Sequence, residues 1–268
     1  MHSREPTVLL IGGADSSGGA GIARDVHVCT EHSVRSALAI TAVTAQTDTG
    51  VHAIHHIPAA VVAAQMRAAL ESSAVRAIKI GMLGCRDSVE AIVESLPNAV
   101  DVPVILDPVL VSSSGHALLD AAGLEALRAR LLPRAHLVTP NIPEAATLLD
   151  RPPGRDASEA IEHAHALRRL GVANVLVKGG HAPGANATDV LLAATGLHTL
   201  AAPRVAATLR GTGCMLATAI GARLATGSDL IEACRAAKHY VFRQLAAAES
   251  TDARASTLHR ARSSPDNV

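Results

Sequence analysis

The chain has 268 residues, 49% of them apolar, and its 24 acidic and 24 basic side chains balance to a formal net charge of zero. That is enough apolar material for a sizeable core, and it leaves no basic footprint for nucleic acid or anionic lipid. With no Trp, one Tyr (Tyr240) and one Phe (Phe242), the chain also offers almost no platform for stacking unpaired bases.

In chain order, short runs of Val, Ile and Leu alternate with longer Ala-rich amphipathic runs. Strands are predicted over residues 7–11, 36–41, 77–80, 104–106, 136–139, 174–177, 189–193 and 198–201. Helices are predicted over 19–32, 58–72, 87–96, 120–131, 142–149, 156–170, 213–226 and 228–247, with Asp120, Asp156 and Ser228 as starting residues. The strands are continuous apolar runs rather than alternating ones, which suits strands buried on both faces of a mostly parallel sheet. The expectation is one three-layer α/β/α domain over 1–248, followed by a polar tail over 249–268 that is loose or a fraying helix end. No apolar run reads as a signal peptide or a membrane span. Cys29, Cys85, Cys214 and Cys234 form no C-x-x-C pair and no zinc spacing, and the 14 histidines are scattered, so a reducing cytoplasm is expected.

In open α/β sheets ligands bind beyond the carboxyl ends of the strands. Six predicted strands run there into glycine or polar residues: Gly12-Gly13-Ala14-Asp15, Thr44-Ala45-Gln46, Gly81-Met82, Asp107, Asn141 and Lys178-Gly179-Gly180. One such loop means little, but the recurrence predicts a single convergent site.

Five segments carry candidate chemistry. GGADSSGGAGIARD (12–25) lets backbone approach a ligand and leads into a helix N-terminus, and no Gly-Lys-Ser/Thr follows it, so it is not a Walker A loop. LRGTGCML (209–216) opens an apolar helix whose free amides suit a transferring phosphoryl group. Cys214 there reads either as a general base with its pKa lowered by the helix dipole or as a small buried residue in a tight helix start. Lys178 in VKGGH (177–181) is one of only three lysines; it reads as a point charge for phosphate or as a solvated strand end. Asn141 and Glu144 in LVTPNIPEA (137–145) read as partners of phosphate and Mg²⁺ or as a Pro-rich turn entering a helix. Asp107 ends a buried run in VILDPVLVSSSG (104–115), where a carboxylate needs a metal, a partner or a turn to cap.

Together with ITAVTAQTDTG and IKIGMLG, these strings resemble, in order and spacing over about residues 8–225, the hydroxymethylpyrimidine/phosphomethylpyrimidine kinases of thiamin biosynthesis, a branch of the ribokinase-like superfamily. The resemblance implies ATP and Mg²⁺ as cofactors, a pyrimidine substrate and a homodimer. It implies transfer of the ATP γ-phosphoryl group to 4-amino-5-hydroxymethyl-2-methylpyrimidine and then to the monophosphate. By the same resemblance Gln46 would bond the pyrimidine amine and ring nitrogen, while Asp25 and Gly13 would lie on the substrate side. Thr44, Met82 and Val109 would pack the ring. Gly211, Thr212 and Gly213 would form the anion hole, with Cys214 as base. Lys178, Asn141 and Arg210 would serve the nucleotide phosphates, and Asp107 and Glu144 the metal. The chain departs from the pattern at Leu209-Arg210 (usually Thr-His), Met215 (usually Thr), Arg24 (usually small) and Thr44 (usually Val), and its PRVAATL loop is about one residue short. A pyridoxal/pyridoxine kinase, or a pyrimidine-binding protein without turnover, are the competing readings. A sugar site would need more polar lining.

Overall fold

A computed structural model describes residues 5–47, 49–97, 102–112, 114–152, 157–180 and 184–263. Its first half runs β1 (Thr7–Asp15), α1 (Gly21–Glu31), β2 (Arg35–Gln46), β3 (Val51–His56), α2 (Ala59–Ser72), β4 (Val75–Ile80), α3 (Arg86–Ser95) and β5 (Val104–Leu106). The second half runs α4 (Ala121–Ala126), β6 (Leu137–Val138), α5 (Ile142–Leu148), α6 (Ala157–Arg169), β7 (Asn174–Val177), β8 (Asn186–Ala193), β9 (Gly196–Pro203), α7 (Thr212–Ala225) and α8 (Leu230–Ser263). Among the described residues the strands form one sheet in the order β3-β2-β1-β4-β5-β6-β7-β8-β9. Pairing is parallel from β2 through β7 and antiparallel at the two edges.

Strand periodicity divides the core into two layers. Leu9, Ile11, Ile78 and Ile80 point toward α2, α3, α5 and α6. Val8, Leu10 and Ala77 point toward α1, α7 and α8. Each of these aliphatic side chains is fully buried, a contribution of about 1.5–3 kcal/mol for a large one. The three layers are those expected from the continuous apolar strands.

The differences have local causes. β3 has no counterpart in the prediction because VHAIHH lies on the sheet edge with most side chains exposed; its pairing with β2, not burial, makes it a strand. β1 and β2 run past their apolar stretches because Gly13–Asp15 pair with Ala42–Thr44 after a register shift at Gly12/Gly13. The helix predicted over 120–131 ends its regular part at Ala126, then widens into a π turn (Leu127–Leu131) and a tight turn holding Pro133, which lacks an N–H to continue the ladder. Asp120 caps α4 by accepting from Gly123 N–H at 2.6 Å. The start expected at Ser228 belongs to Asp229 instead, whose Oδ1 accepts from Glu232 N–H at 3.0 Å. Asp156 lies outside the described residues. α8 continues as helix through Ser263, into the stretch read as a polar tail.

Candidate active site

The carboxyl ends of β1, β2, β4, β5 and β7, with the start of α7 and one face of α8, enclose a cavity of about 780 Å³. All fifteen site residues expected from the sequence line it or touch its lining. His181 of the VKGGH string lies outside the described residues.

The turn before α7 is built by close backbone approach. Gly211 takes φ +74°, and a Cβ there would stand 2.6 Å from the Gly19 carbonyl oxygen. Gly21 takes φ +59°, and a Cβ there would stand 2.3 Å from the Gly13 carbonyl oxygen. Both positions require glycine: Gly211 lets the 211–214 turn press onto the 12–21 loop, and Gly21 lets that loop close on itself. Asp15 organises that loop. Its Oδ1 accepts from Ser17 N–H (2.9 Å) and Ser17 Oγ–H (2.8 Å), and its Oδ2 from Ala20 N–H (3.1 Å) and Arg210 Nη2 (3.0 Å). Arg210 Nη1 also donates to Ser17 Oγ at 2.8 Å, so the unusual Arg210 bolts the two loops together beside the 211–214 turn.

α7 begins at Thr212, and its first internal bond is Met215 N–H to Gly211 C=O at 2.8 Å, which leaves the amides of 212–214 open toward the cavity. Cys214 sits in this first turn, close to the Gly21 amide. The lowered thiol pKa expected from the helix dipole is not found. Burial pushes Cys214 up to about 11, more than Lys79 and the Gly21 amide pull it down.

Two Lys–Asp pairs flank this turn. Lys178 Nζ donates to Asp107 Oδ1 at 2.7 Å and stands 3.7 Å from Glu144 Oε2. Thr139 Oγ1 donates to the same Asp107 oxygen at 3.2 Å. Gly213 leaves room for the pair: a Cβ there would lie 3.2 Å from Lys178 Nζ and 3.6 Å from Asp107 Oδ2. Asn141 and Glu144 form a reciprocal capping box at the start of α5, each backbone N–H bonded to the other's side chain at 2.7 Å. Burial raises the Glu144 carboxyl while Lys178 opposes it.

Of the second pair, Asp25 was expected on the substrate side, but Lys79 was not read from the sequence as a site residue. Lys79 Nζ donates to Asp25 Oδ2 at 2.7 Å, and Thr218 Oγ1 donates to Asp25 Oδ1 at 2.7 Å. Lys79 and Asp25 are 1% and 0% exposed. The available signal was a lysine inside the buried run IKIG, where an ammonium requires a partner. The third lysine, Lys238 on α8, pairs with Asp189 at 2.8 Å, and Asp189 also accepts from Gly179 N–H at 3.0 Å. All three lysines of the chain therefore line one cavity, each against an aspartate.

At the other end of the cavity, Met82 packs with Ala42, Leu118, Ile54 and Val109 in a small apolar wall. Gly13 gives Met82 its seat, since a Cβ there would lie 2.7 Å from Sδ. Thr44 Oγ1 has two acceptors in reach at 3.2 Å, Ala14 C=O and Gln46 Oε1. The Gln46 backbone is clamped from both sides by Ser16 Oγ, at 2.9 and 3.0 Å. A register shift between Ala45 and Gln46 on β2 re-aims that side chain. Leu118, Lys238 and the α8 wall of Val241, Phe242 and Leu245 escaped the sequence reading, because they join the cavity only through long-range packing. No group of three or more His, Cys, Asp or Glu that could hold a metal occurs among the described residues, and no described helix is long and apolar enough to cross a membrane.

The family model described as phosphomethylpyrimidine kinase matches residues 15–259. A hydroxymethylpyrimidine/phosphomethylpyrimidine kinase of Rhizobium meliloti is 43% identical over 242 residues, 90% of this chain and 91% of that protein. The chloroplastic thiamine biosynthetic bifunctional enzyme TH1 of Arabidopsis thaliana is 39% identical over 88% of this chain, which spans only 46% of that longer protein. Among solved structures, phosphomethylpyrimidine kinase from Clostridium difficile superposes with a TM-score of 0.78 at 33% identity, covering 89% of this chain and 98% of that one. An ADP complex of Bacillus subtilis pyridoxal kinase gives a TM-score of 0.78 at 31% identity, covering 88% and 90%.

Proposed function

We infer the work of each site residue from one premise: this chain belongs to the phosphomethylpyrimidine kinase family. It is a kinase of thiamin biosynthesis that phosphorylates hydroxymethylpyrimidine to the monophosphate and then to the pyrophosphate. ATP is the proposed phosphoryl donor.

The observation that carries the residue roles is the Gly211–Cys214 turn, opening a helix between two Lys–Asp pairs. The amides of Thr212, Gly213 and Cys214 face the charge that spreads over a transferring phosphoryl group. Cys214, as thiolate, takes the proton of the substrate hydroxyl while that oxygen bonds the γ-phosphorus and the bond to ADP breaks. Catalysis is then mainly positioning and electrostatics. Gln46 offers one acceptor and one donor to the amine and ring nitrogen of an aminopyrimidine. Met82, Val109 and Thr44 pack the ring, and Gly13 makes room for Met82. Asp25 lies on the hydroxymethyl side of the cavity floor, both its oxygens held by Lys79 and Thr218. Lys178, Asn141 and Arg210 serve the phosphates.

The residues present fit Mg²⁺. Asp107 keeps Oδ2 toward Gly213 and the cavity, and Glu144 lies within reach of the same lysine, so the donors are hard oxygens. Two carboxylates suit an ion that keeps waters and phosphate oxygens as its other ligands. When bound there it neutralises phosphate charge.

Cytoplasmic location is proposed from four cysteines that are all free. A homodimer is proposed from the family, with exposed Leu38 and Val43 on β2 as available apolar surface. Pyridoxal is the second reading of the substrate, favoured by the shared fold with a pyridoxal kinase and opposed by Gln46.

ADP release from ATP·Mg²⁺ with hydroxymethylpyrimidine, its monophosphate and pyridoxal in parallel tests the substrate. Turnover on the first two and little on pyridoxal is expected; the reverse preference would move the activity to pyridoxal. Cys214→Ala is expected to lower kcat by about 10²–10⁴-fold, the range of general-base catalysis, with pyrimidine affinity near wild type.

A further inference from the structure

Lys79 is the largest fully buried side chain of the described residues, and it is a cation. β4 carries it to the sheet face covered by α1 and α7, while Ile78 and Ile80 face the other way. It is ion-paired at 2.7 Å to Asp25 of α1, and Asp25 is held in turn by Thr218 of α7 at 2.7 Å. A Cβ at Gly81 would lie 2.9 Å from Nζ, so this glycine is what admits the ammonium at the cavity floor. One N–H of the ammonium goes to Asp25, and the cavity lining includes both Lys79 and Asp25.

A fully buried ion pair is a weak source of stability, because desolvating both charges offsets their attraction. Two apolar side chains would fill this space at least as well for folding alone. The position of the pair explains its presence. Thr218 lies one helical turn beyond Cys214 on α7, so Asp25 and its ammonium sit against the face of α7 that carries the thiol. Gly21, whose amide lies close to the sulfur, is one turn before Asp25 on α1.

We propose that Lys79 is a positioning residue of the phosphoryl-transfer site. Anchored by Asp25, it keeps a fixed positive charge under the Gly211–Cys214 turn that favours the Cys214 thiolate. The charge acts through the sulfur and touches neither substrate nor nucleotide. Lys79 is also the foremost of the groups pulling the thiol down against burial, ahead of the opposing Asp25. A lysine is required because arginine has no room beneath Gly81, and the field of a compact ammonium is strongest at short range. This inference rests on the reading of Cys214 as base, but its test does not.

The test is the alkylation rate of Cys214 by iodoacetamide at pH 8, followed by peptide mapping in a Cys85→Ser background. Cys29 and Cys234 are buried, so Cys214 is the thiol that remains to react. Lys79→Met is expected to slow Cys214 alkylation at least tenfold. If that variant fails to fold with Asp25 unpaired, Asp25→Asn/Lys79→Met replaces the pair by neutral side chains of similar size and should still slow alkylation at least threefold. A Cys214 rate within twofold of wild type in whichever variant folds overturns the proposal. The pH profile of kcat gives a second readout: its alkaline rise should move to higher pH in the same variant, which a merely structural lysine would not cause. Slowed alkylation combined with full turnover by Cys214→Ala would keep the role of Lys79 toward the thiolate and reject Cys214 as base, so the two ideas fail separately.

Discussion

The two Lys–Asp pairs beside Cys214 share one geometry and differ in access. Both have an Nζ–Oδ distance of 2.7 Å. Each aspartate is braced by a threonine, but Lys79 is 1% exposed and closed off from solvent between β4, α1 and α7 at the cavity floor. Lys178 is 15% exposed, sits at the end of β7, and has a second carboxylate, Glu144, within 3.7 Å. A sealed pair cannot exchange partners without leaving a charge stranded, so it serves as a fixed field. An open pair can release its lysine to a phosphate and its aspartate to a cation when a nucleotide arrives. Under the proposed roles, the same residue types divide into scaffold and working parts by the access of their lysines.

The largest expected effect that would break this comparison is on stability. Lys79→Met leaves Asp25 buried and uncompensated and should cost about 3–5 kcal/mol in denaturant unfolding. Lys178→Met should cost clearly less, because Lys178 is partly exposed and Asp107 lines the cavity. Equal losses would show that the pairs are equivalent. In turnover the order reverses for the step the open pair serves: Lys178→Met should lower kcat by about 10²–10³-fold, the scale of losing one preorganised charge, while the protein stays folded.

The effects of pH sharpen the sealed half. Burial pushes Cys214 up to about 11, so the thiolate fraction and with it kcat should rise with pH from neutrality to pH 10, by up to about tenfold per unit. Burial also pushes Cys29 and Cys234 from 9.0 to about 12. The folded chain therefore binds these protons more tightly than the unfolded one. That stability is fully present below about pH 9 and is lost as pH rises toward 12. Unfolding at pH 8 and pH 10.5 should show the loss, and Cys29→Ala, which removes one of these buried thiols, should reduce it. The smallest effect is at the ring end. Thr44→Val removes a hydroxyl shared at 3.2 Å between Ala14 C=O and Gln46 Oε1, and should raise the pyrimidine KM by roughly two- to tenfold, the worth of one hydrogen bond of about 0.5–1.5 kcal/mol.

Much of this was legible along the chain, because some signals are local. Continuous apolar runs determined the buried parallel strands, and the glycine and polar residues after them determined which end of the sheet binds ligand. Gly211 and Gly21 stand where only glycine can, and the ordered motifs carried the family. Asp107 and Lys178, read separately, fall 71 residues apart and meet at one place because each ends a strand at the same sheet edge. Tertiary structure alone decided the rest. It paired Lys79 with Asp25 across 54 residues and bound Arg210 to Asp15 across 195, contacts for which no local spacing exists. It reversed the expected direction of the Cys214 shift, because helix position is written in sequence order but desolvation depends on everything packed around the sulfur. It also made β3 a strand by edge pairing where its polar residues promised none. Patterning fixes which residues are buried and which end a strand; charge state and partnership depend on the dielectric and distance that only the assembled layers create.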